Sequence, residues 1–321
     1  MGEVITFTSG KGGVGKTTTT ANVGVGLSLL DKKVVLVDTD IGLRNLDVVM
    51  GLENRILYNL VDVLTGRCRM KQALIRDRRY PNLWIIPSSC SADAKNSLNE
   101  TQMKSLLDSL RNEFDYILID SPAGIDEGFR LATFDADHVV VVTTPQIAAI
   151  HDADCVLQLL ERRAKSDIRL SESLKEEDKA GKRHAGKDSG QIKAAGAPAR
   201  GQKAGRKTEE KKPAPEEKKQ KVSLLVNCFR RTMVREGNML DLPDICELLN
   251  AKLLGVILED EEIIISQNHG EPVMGHHSVS ESCYQNVARR LAGEDLAIPD
   301  YIRRRRLFSK ILFGNGARKL V

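Results

Sequence analysis

The sequence predicts an α/β fold, a doubly wound and mostly parallel sheet with helices on both faces, followed by a C-terminal amphipathic helix. Three observations predict it. Short apolar runs alternate with helical patterns through the first half of the chain. These runs are apolar at nearly every position rather than at alternate ones, as strands covered on both faces must be. The first run passes through a glycine-rich turn straight into a helix. In sheets of this kind ligands bind outside the carboxyl ends of the strands.

The elements follow in order. Residues 4–8 form the first strand and residues 17–30 the helix after it. Further strands are expected at 34–38, 83–87, 116–120 and 138–144, with helices at 102–112 and 147–163. Two later strands fall at 222–227 and 253–258. Between them, residues 165–221 hold 17 Lys and Arg against 10 Asp and Glu. They contain no aromatic residue and only Ile168, Leu170, Leu174 and Ile192 as branched aliphatics. So little apolar surface cannot offset the entropy of ordering the chain, and a disordered surface insertion is expected. The domain is thus expected to span residues 1–298, interrupted at 165–221, with a separate tail at 299–321.

The overall charge of +4 hides this asymmetry. The insertion carries a net +7 and the remainder a net −3, so the folded body offers no general nucleic-acid surface and no specific nucleic acid is expected. No run of about 18 apolar residues is present, and no transmembrane helix or secretory leader is expected. Cys68, Cys90, Cys155, Cys228, Cys246 and Cys283 are scattered without a C-x-x-C pair, as reduced thiols of a cytoplasmic protein would be. His269, His276 and His277 have no carboxylate or Cys at ligand spacing and suggest surface positions.

Gly10-Lys11-Gly12-Gly13-Val14-Gly15-Lys16-Thr17 fits G-x-x-x-x-G-K-[ST], between a strand and a helix. The glycines let backbone amides close around phosphate oxygens, and the helix start adds its positive dipole end. Lys16 would reach the β- and γ-phosphates and Thr17 would hold Mg²⁺. An acid is needed on a neighbouring strand, and Ile117-Leu118-Ile119-Asp120 supplies it. Asp38 and Asp40 close another strand and become candidates for holding magnesium and orienting the attacking water. The fold is therefore expected to be of the P-loop NTPase type, with ATP and Mg²⁺ as cofactors.

The additional lysine in Lys11-Gly12-Gly13-Val14-Gly15-Lys16-Thr17-Thr18 resembles the signature lysine of the deviant Walker A ATPases, the ParA–MinD family. That resemblance implies an ATPase that dimerises on ATP, with Lys11 reaching the partner's nucleotide. Asp38-Thr39-Asp40-Ile41-Gly42-Leu43-Arg44-Asn45-Leu46-Asp47 looks like the first switch region of the branch that positions the division septum. Asp120-Ser121-Pro122-Ala123-Gly124-Ile125 looks like its second switch. Thr143-Thr144-Pro145 with Asp152 and Asp154, and Gly270-Glu271-Pro272-Val273, also fit that branch. The implied partners are a second copy, MinC, and a MinE-like or other topological regulator. An ATPase of the FlhG type, controlling flagellar number, is the alternative within the family. A non-catalytic DNA-binding protein gripping phosphates through its Lys-rich insertion is the alternative outside it. By the resemblance, residues 10–18 and Asn227 contact nucleotide. The chain departs from the family pattern at Cys228, where Arg usually follows Asn, and at Leu258, usually Pro. It departs again at Gln146 and His151.

The tail supplies a second signal. At about 100° per residue, Leu307, Phe308, Ile311 and Leu312 fall within one arc of about 140°. Arg303, Arg305, Arg306 and Lys310 lie on the other side. A short basic amphipathic helix suits an anionic membrane surface and resembles the family's membrane-targeting tail. The expected location is the cytoplasm and the cytoplasmic face of the inner membrane.

Overall fold

Eight strands build one sheet in the order β3-β4-β2-β5-β1-β6-β7-β8. They are β1 (Glu3–Ser9), β2 (Val34–Asp38), β3 (Ile75–Arg76), β4 (Leu83–Ile86), β5 (Tyr116–Ala123), β6 (His138–Thr143), β7 (Lys221–Phe229) and β8 (Leu253–Leu258). Every pairing is parallel except β3 with β4. The structure, a computed structural model, describes residues 1–91, 99–184 and 220–299, with the backbone alone for 167–184. Its compact units are Met1–Gln158 joined with the chain from Gln220 onward, and Leu159–Lys219. Everything said below about the site lies in the first unit.

The helices in that unit are α1 (Lys16–Ser28), α2 (Leu46–Val49), α3 (Leu60–Leu64), α4 (Met70–Ala73), α5 (Glu100–Arg111) and α6 (Glu127–Thr133). After the start of α7 (Ile147–His184) come α8 (Arg231–Arg235), α9 (Leu242–Leu249), α10 (Glu262–Asn268) and α11 (Val279–Leu291). Their ends follow the local sequence. Asn59, Asn99, Asp126, Asp241 and Ser278 each accept amide hydrogen bonds as N-caps of α3, α5, α6, α9 and α11.

The central strands are buried on both faces: Val34 to Val37 and Ile117 to Ile119 have no exposed surface. Their all-apolar composition reflects this. α1 is buried nearly all round, because it lies between the sheet and α11. Two glycines permit that. A Cβ on Gly24 would come within 2.4 Å of Leu36 Cδ2, and one on Gly26 within 2.8 Å of Ala288 Cβ.

All seven expected strands form, and β2 and β8 have the expected bounds. The two-residue β3 is an addition: Ile75 pairs with Ile85 and Arg76 with Trp84 along the sheet edge. α7 continues beyond residue 163, the expected end, to His184, so the opening of the segment read as structureless is helical. Its Lys, Glu and Ala residues are good helix formers, and Glu161 pairs with Lys165 one turn on at 3.5 Å. Residues 185–219 and the tail residues Leu307, Phe308, Ile311 and Leu312 lie outside the described residues.

Candidate nucleotide-binding site

The loop between β1 and α1 stands at the carboxyl end of the central strand. Gly13 and Gly15 have φ of 78° and 85°, in the left-handed region that favours glycine. Gly10 is fixed by packing, since a Cβ there would lie 2.4 Å from the Asp152 carbonyl oxygen. Beside Gly12 and Gly13 there is open space, with nothing within 4 Å of a built Cβ. The loop is therefore held from behind and open in front, where phosphate oxygens would sit. Lys16, Thr17 and Thr18 lie in the first turn of α1, whose amides have no carbonyl of the helix to meet.

Asp120 and Asp38 face each other as register partners across β5 and β2. Asp120 is buried and accepts hydrogen bonds from the Thr17 and Thr20 hydroxyls. Asp38 is fully buried and accepts from the Asp40 amide at 2.9 Å and the Leu46 amide at 3.2 Å. Burial pushes Asp38 up to about 8, helped by the like charge of Asp120. Burial also raises Asp120, while the Lys16 ammonium pulls it back. Asp40, part-exposed, adds a third carboxylate to this corner.

Two buried acids sharing one nearby ammonium favour a bound proton or a cation. No three-ligand protein cage for a metal exists among the described residues. Mg²⁺ does not require one, because it is held by one or two protein oxygens together with phosphate and water. The hard oxygens of Thr17, Asp40 and Asp120 fit that ion.

Sequence reasoning carried no signal for two residues that brace this corner. Gln267 of α10 donates from Nε2 to the Thr18 hydroxyl oxygen. The Thr18 hydrogen is then oriented away, available to a phosphate. Thr20 bonds both the Lys16 carbonyl, at 3.1 Å, and Asp120. The run Gly270 to Val273 docks beside them, with the Val273 amide donating to Asn22 Oδ1 at 2.8 Å.

Arg79 clips that run to the end of α2 by donating to the Met50 and Gly270 carbonyls, with Asp77 as its ion partner at 3.0 Å. A cavity of about 550 Å³ adjoins this clip, lined by Leu52, Arg79, Gln267 and Glu271 among others, and includes no phosphate-loop residue.

The two switch segments hang from the same framework. Thr39 Oγ1 donates to the Asp120 carbonyl at 2.8 Å, and the Gly124 amide to the Ser9 carbonyl at 3.0 Å. Arg44 pairs with the buried Asp47 at 3.0 Å. Leu43 and Ile125 are left exposed on them, and Val48 on α2 just beyond the first. Lys11 is also exposed, its carbonyl accepting from Ser9 Oγ. Gln146, Ile147 and His151 present an exposed surface at the start of α7.

Asn227 follows the regular pairing of β7, beside this loop. It is 4% exposed and lies against the phosphate loop, donating from Nδ2 to the Val14 carbonyl at 2.9 Å. Val14 itself is buried.

A family model described as "AAA domain" matches residues 2–175. The chain is 40% identical over 300 residues to the septum site-determining protein MinD of Bacillus subtilis (strain 168), covering 93% of this chain and 92% of that protein. It is 40% identical over 304 residues to MinD of Synechocystis sp. (strain ATCC 27184 / PCC 6803 / Kazusa), covering 94% of each. In structure it is similar to a chain of the MinC:MinD cell division protein complex of Aquifex aeolicus. There the TM-score is 0.71 and the identity 34%, over 93% of this chain and 99% of that one. A phosphate loop with its buried acids and these nearly full-length matches lead to one assignment: the chain belongs to the MinD family of septum site-determining P-loop ATPases.

Proposed function

We propose that the protein hydrolyses ATP, and that it cycles on and off the cell membrane with its nucleotide state to help position the division septum. The observation that carries the reading is the phosphate loop itself, braced behind Gly10 and Gly15 and open at Gly12 and Gly13. Lys16 would neutralise the β- and γ-phosphates. Thr18, its hydroxyl oriented by Gln267, would donate to a further phosphate oxygen. Thr17, Asp120 and Asp40 would hold the magnesium ion, which supplies charge neutralisation to the transferring phosphoryl group. Asp40, at the site's edge, would orient the attacking water.

Lys11 is exposed and can reach outward to a nucleotide held by a second copy, which would make ATP the glue of a homodimer. Each copy would bring one basic amphipathic tail. Four apolar side chains at about 1.5–3 kcal/mol each, before ordering costs, give a weak reversible anchor, and two tails give a durable one. MinC is the expected partner, in line with the complex known for the Aquifex relative. A MinE-like regulator would trigger hydrolysis. The protein would then be found in the cytoplasm and on the cytoplasmic face of the inner membrane.

The test is ATPase activity with and without anionic liposomes and with MinC and MinE-type partners. Turnover that rises when liposomes and the regulator are both present is expected. No turnover under any of these conditions would overturn the reading.

A further inference from the structure

We infer that Arg79 is a positioning residue for nucleotide binding: by tying the ends of α2 and α10 together, it fixes the place from which Gln267 meets Thr18. This rests on the nucleotide-site reading above. The two helices stop in the same way. Gly51 ends α2, its amide donating to the Val48 carbonyl at 3.0 Å and the Leu52 amide to the Asp47 carbonyl at 2.8 Å. Gly270 ends α10, its amide donating to the Gln267 carbonyl and the Glu271 amide to the Ser266 carbonyl, both at 3.0 Å. Gly51 has φ of 61° and Gly270 of 66°, the left-handed turn that closes a helix. These turns pack backbone to backbone. A Cβ on Gly51 would lie 2.4 Å from the Gly270 carbonyl oxygen, and one on Gly270 3.1 Å from Gly51 Cα.

Arg79 spans this junction. Its Nη2 donates to the Met50 carbonyl and its Nη1 to the Gly270 carbonyl at 3.2 Å. Carbonyls at a helix's carboxyl end lack partners within the helix and carry partial negative charge, so a cation with two diverging donors suits both. The fork is itself held. Asp77, 3% exposed, accepts from the Arg79 backbone amide at 2.7 Å, from Nε at 3.3 Å and from Nη2 at 3.0 Å. Beside it the Tyr80 hydroxyl donates to the Met274 carbonyl at 3.2 Å. The turn between β3 and β4 thus grips the run after α10 at two points. Gln267 lies in the last turn of α10, so its reach to the Thr18 hydroxyl is set by where that helix ends.

The experiment uses the full-length protein and Mg-ADP, with affinity read by isothermal titration calorimetry. Arg79→Lys keeps the charge that faces Asp77, but its compact ammonium lacks the fork that spans both carbonyls. Gln267→Ala removes the donor to Thr18. Each is expected to weaken Mg-ADP binding by about three- to tenfold, as the loss of one hydrogen bond does. The double variant is expected to bind as Gln267→Ala does, within about twofold, because Arg79 acts through that side chain.

A further loss in the double variant beyond that range would overturn the inference, since Arg79 would then act by another route. Unchanged affinity in either single variant would overturn it too, and a lowered melting temperature alone would make Arg79 a clasp of the fold and nothing more. Should Arg79→Lys fail to fold by circular dichroism, Arg79→Gln takes its place under the same criterion. Wild type that binds no Mg-ADP would instead refute the nucleotide site itself.

Discussion

At the scale of single residues, charge and burial decide most of the outcome. Lys16 is only 8% exposed and sits within the field of Asp120. Replacing it with Ala removes the cradle's buried cation and leaves two buried acids with no counter-charge. Nucleotide affinity is expected to fall on the order of a hundredfold, and ATP-dependent pelleting with anionic liposomes is expected to disappear. Unchanged pelleting would break the proposed link between nucleotide and membrane.

His138, at the start of β6, is a quieter case. It meets Ser223 Oγ at 2.6 Å, and burial with the nearby Lys221 and Lys252 charges lowers it to about 4. A base depressed in the folded state stabilises the fold above its unfolded value, near 6.5, and that stability is lost as pH falls toward 4. Melting temperature should therefore drop between pH 6.5 and 4, and less steeply in His138→Gln. Parallel curves for the two proteins would show that this ring does not carry the acid sensitivity.

At the scale of elements, what could be read from the sequence was whatever repeats along the chain. Continuous apolar runs mark strands buried on both faces, so β1, β2, β4, β5, β6, β7 and β8 were all legible. The two-residue β3 was not, because two residues have no periodicity. Lys16, Thr17 and Asp120 were legible through motif spacing. Asp38 surfaced as a strand-end acid, but its buried pairing with Asp120 depends on strand order. The contacts of Gln267 with Thr18 and of Asn227 with Val14 join positions more than 200 residues apart, which spacing along the chain does not encode.

Composition alone hid the helical continuation of α7, since a surface helix rich in Lys and Glu needs no apolar face to be sampled. Deleting residues 185–219 should leave ATPase activity and melting temperature nearly unchanged, because Ile192 is their only branched aliphatic and they hold no aromatic residue, so little apolar burial is lost. A large fall in melting temperature would show that this stretch packs on the domain. In the tail, replacing Phe308 and Ile311 with Glu puts charge inside the apolar arc and cancels attraction of about 1 kcal/mol per basic residue. Membrane binding should vanish while ATP-driven dimerisation persists, as read by sedimentation and light scattering. A double variant that still pellets with liposomes would rule the tail out as anchor.

At the scale of the whole molecule, the proposed switch requires two copies. Lys11 is exposed on the phosphate loop. Lys11→Ala should therefore retain nucleotide binding within a few fold and lose the ATP dimer in analytical ultracentrifugation. A normal dimer would remove Lys11 from the partner's site. The exposed Leu43, Val48, Ile125 and Ile147 belong to the switch segments and the start of α7. Exposed apolar groups on segments beside a nucleotide site would suit surfaces that are covered in one state and open in another.

The placement of Asn227 on β7 also has a consequence for synthesis. Neighbouring strands β6 and β7 are separated by 77 residues of chain. At about 5–20 residues per second, a ribosome needs roughly 4–15 s to pass from one to the other. During that interval the phosphate loop, Asp38, Asp120 and six strands have been made, yet the hydrogen bond from Asn227 to Val14 does not exist. A nascent chain arrested before β7 should then hold nucleotide poorly despite containing every residue of the phosphate-binding motif. Completion of the sheet and competence for ATP would arrive together, so unfinished chains would stay out of the membrane cycle.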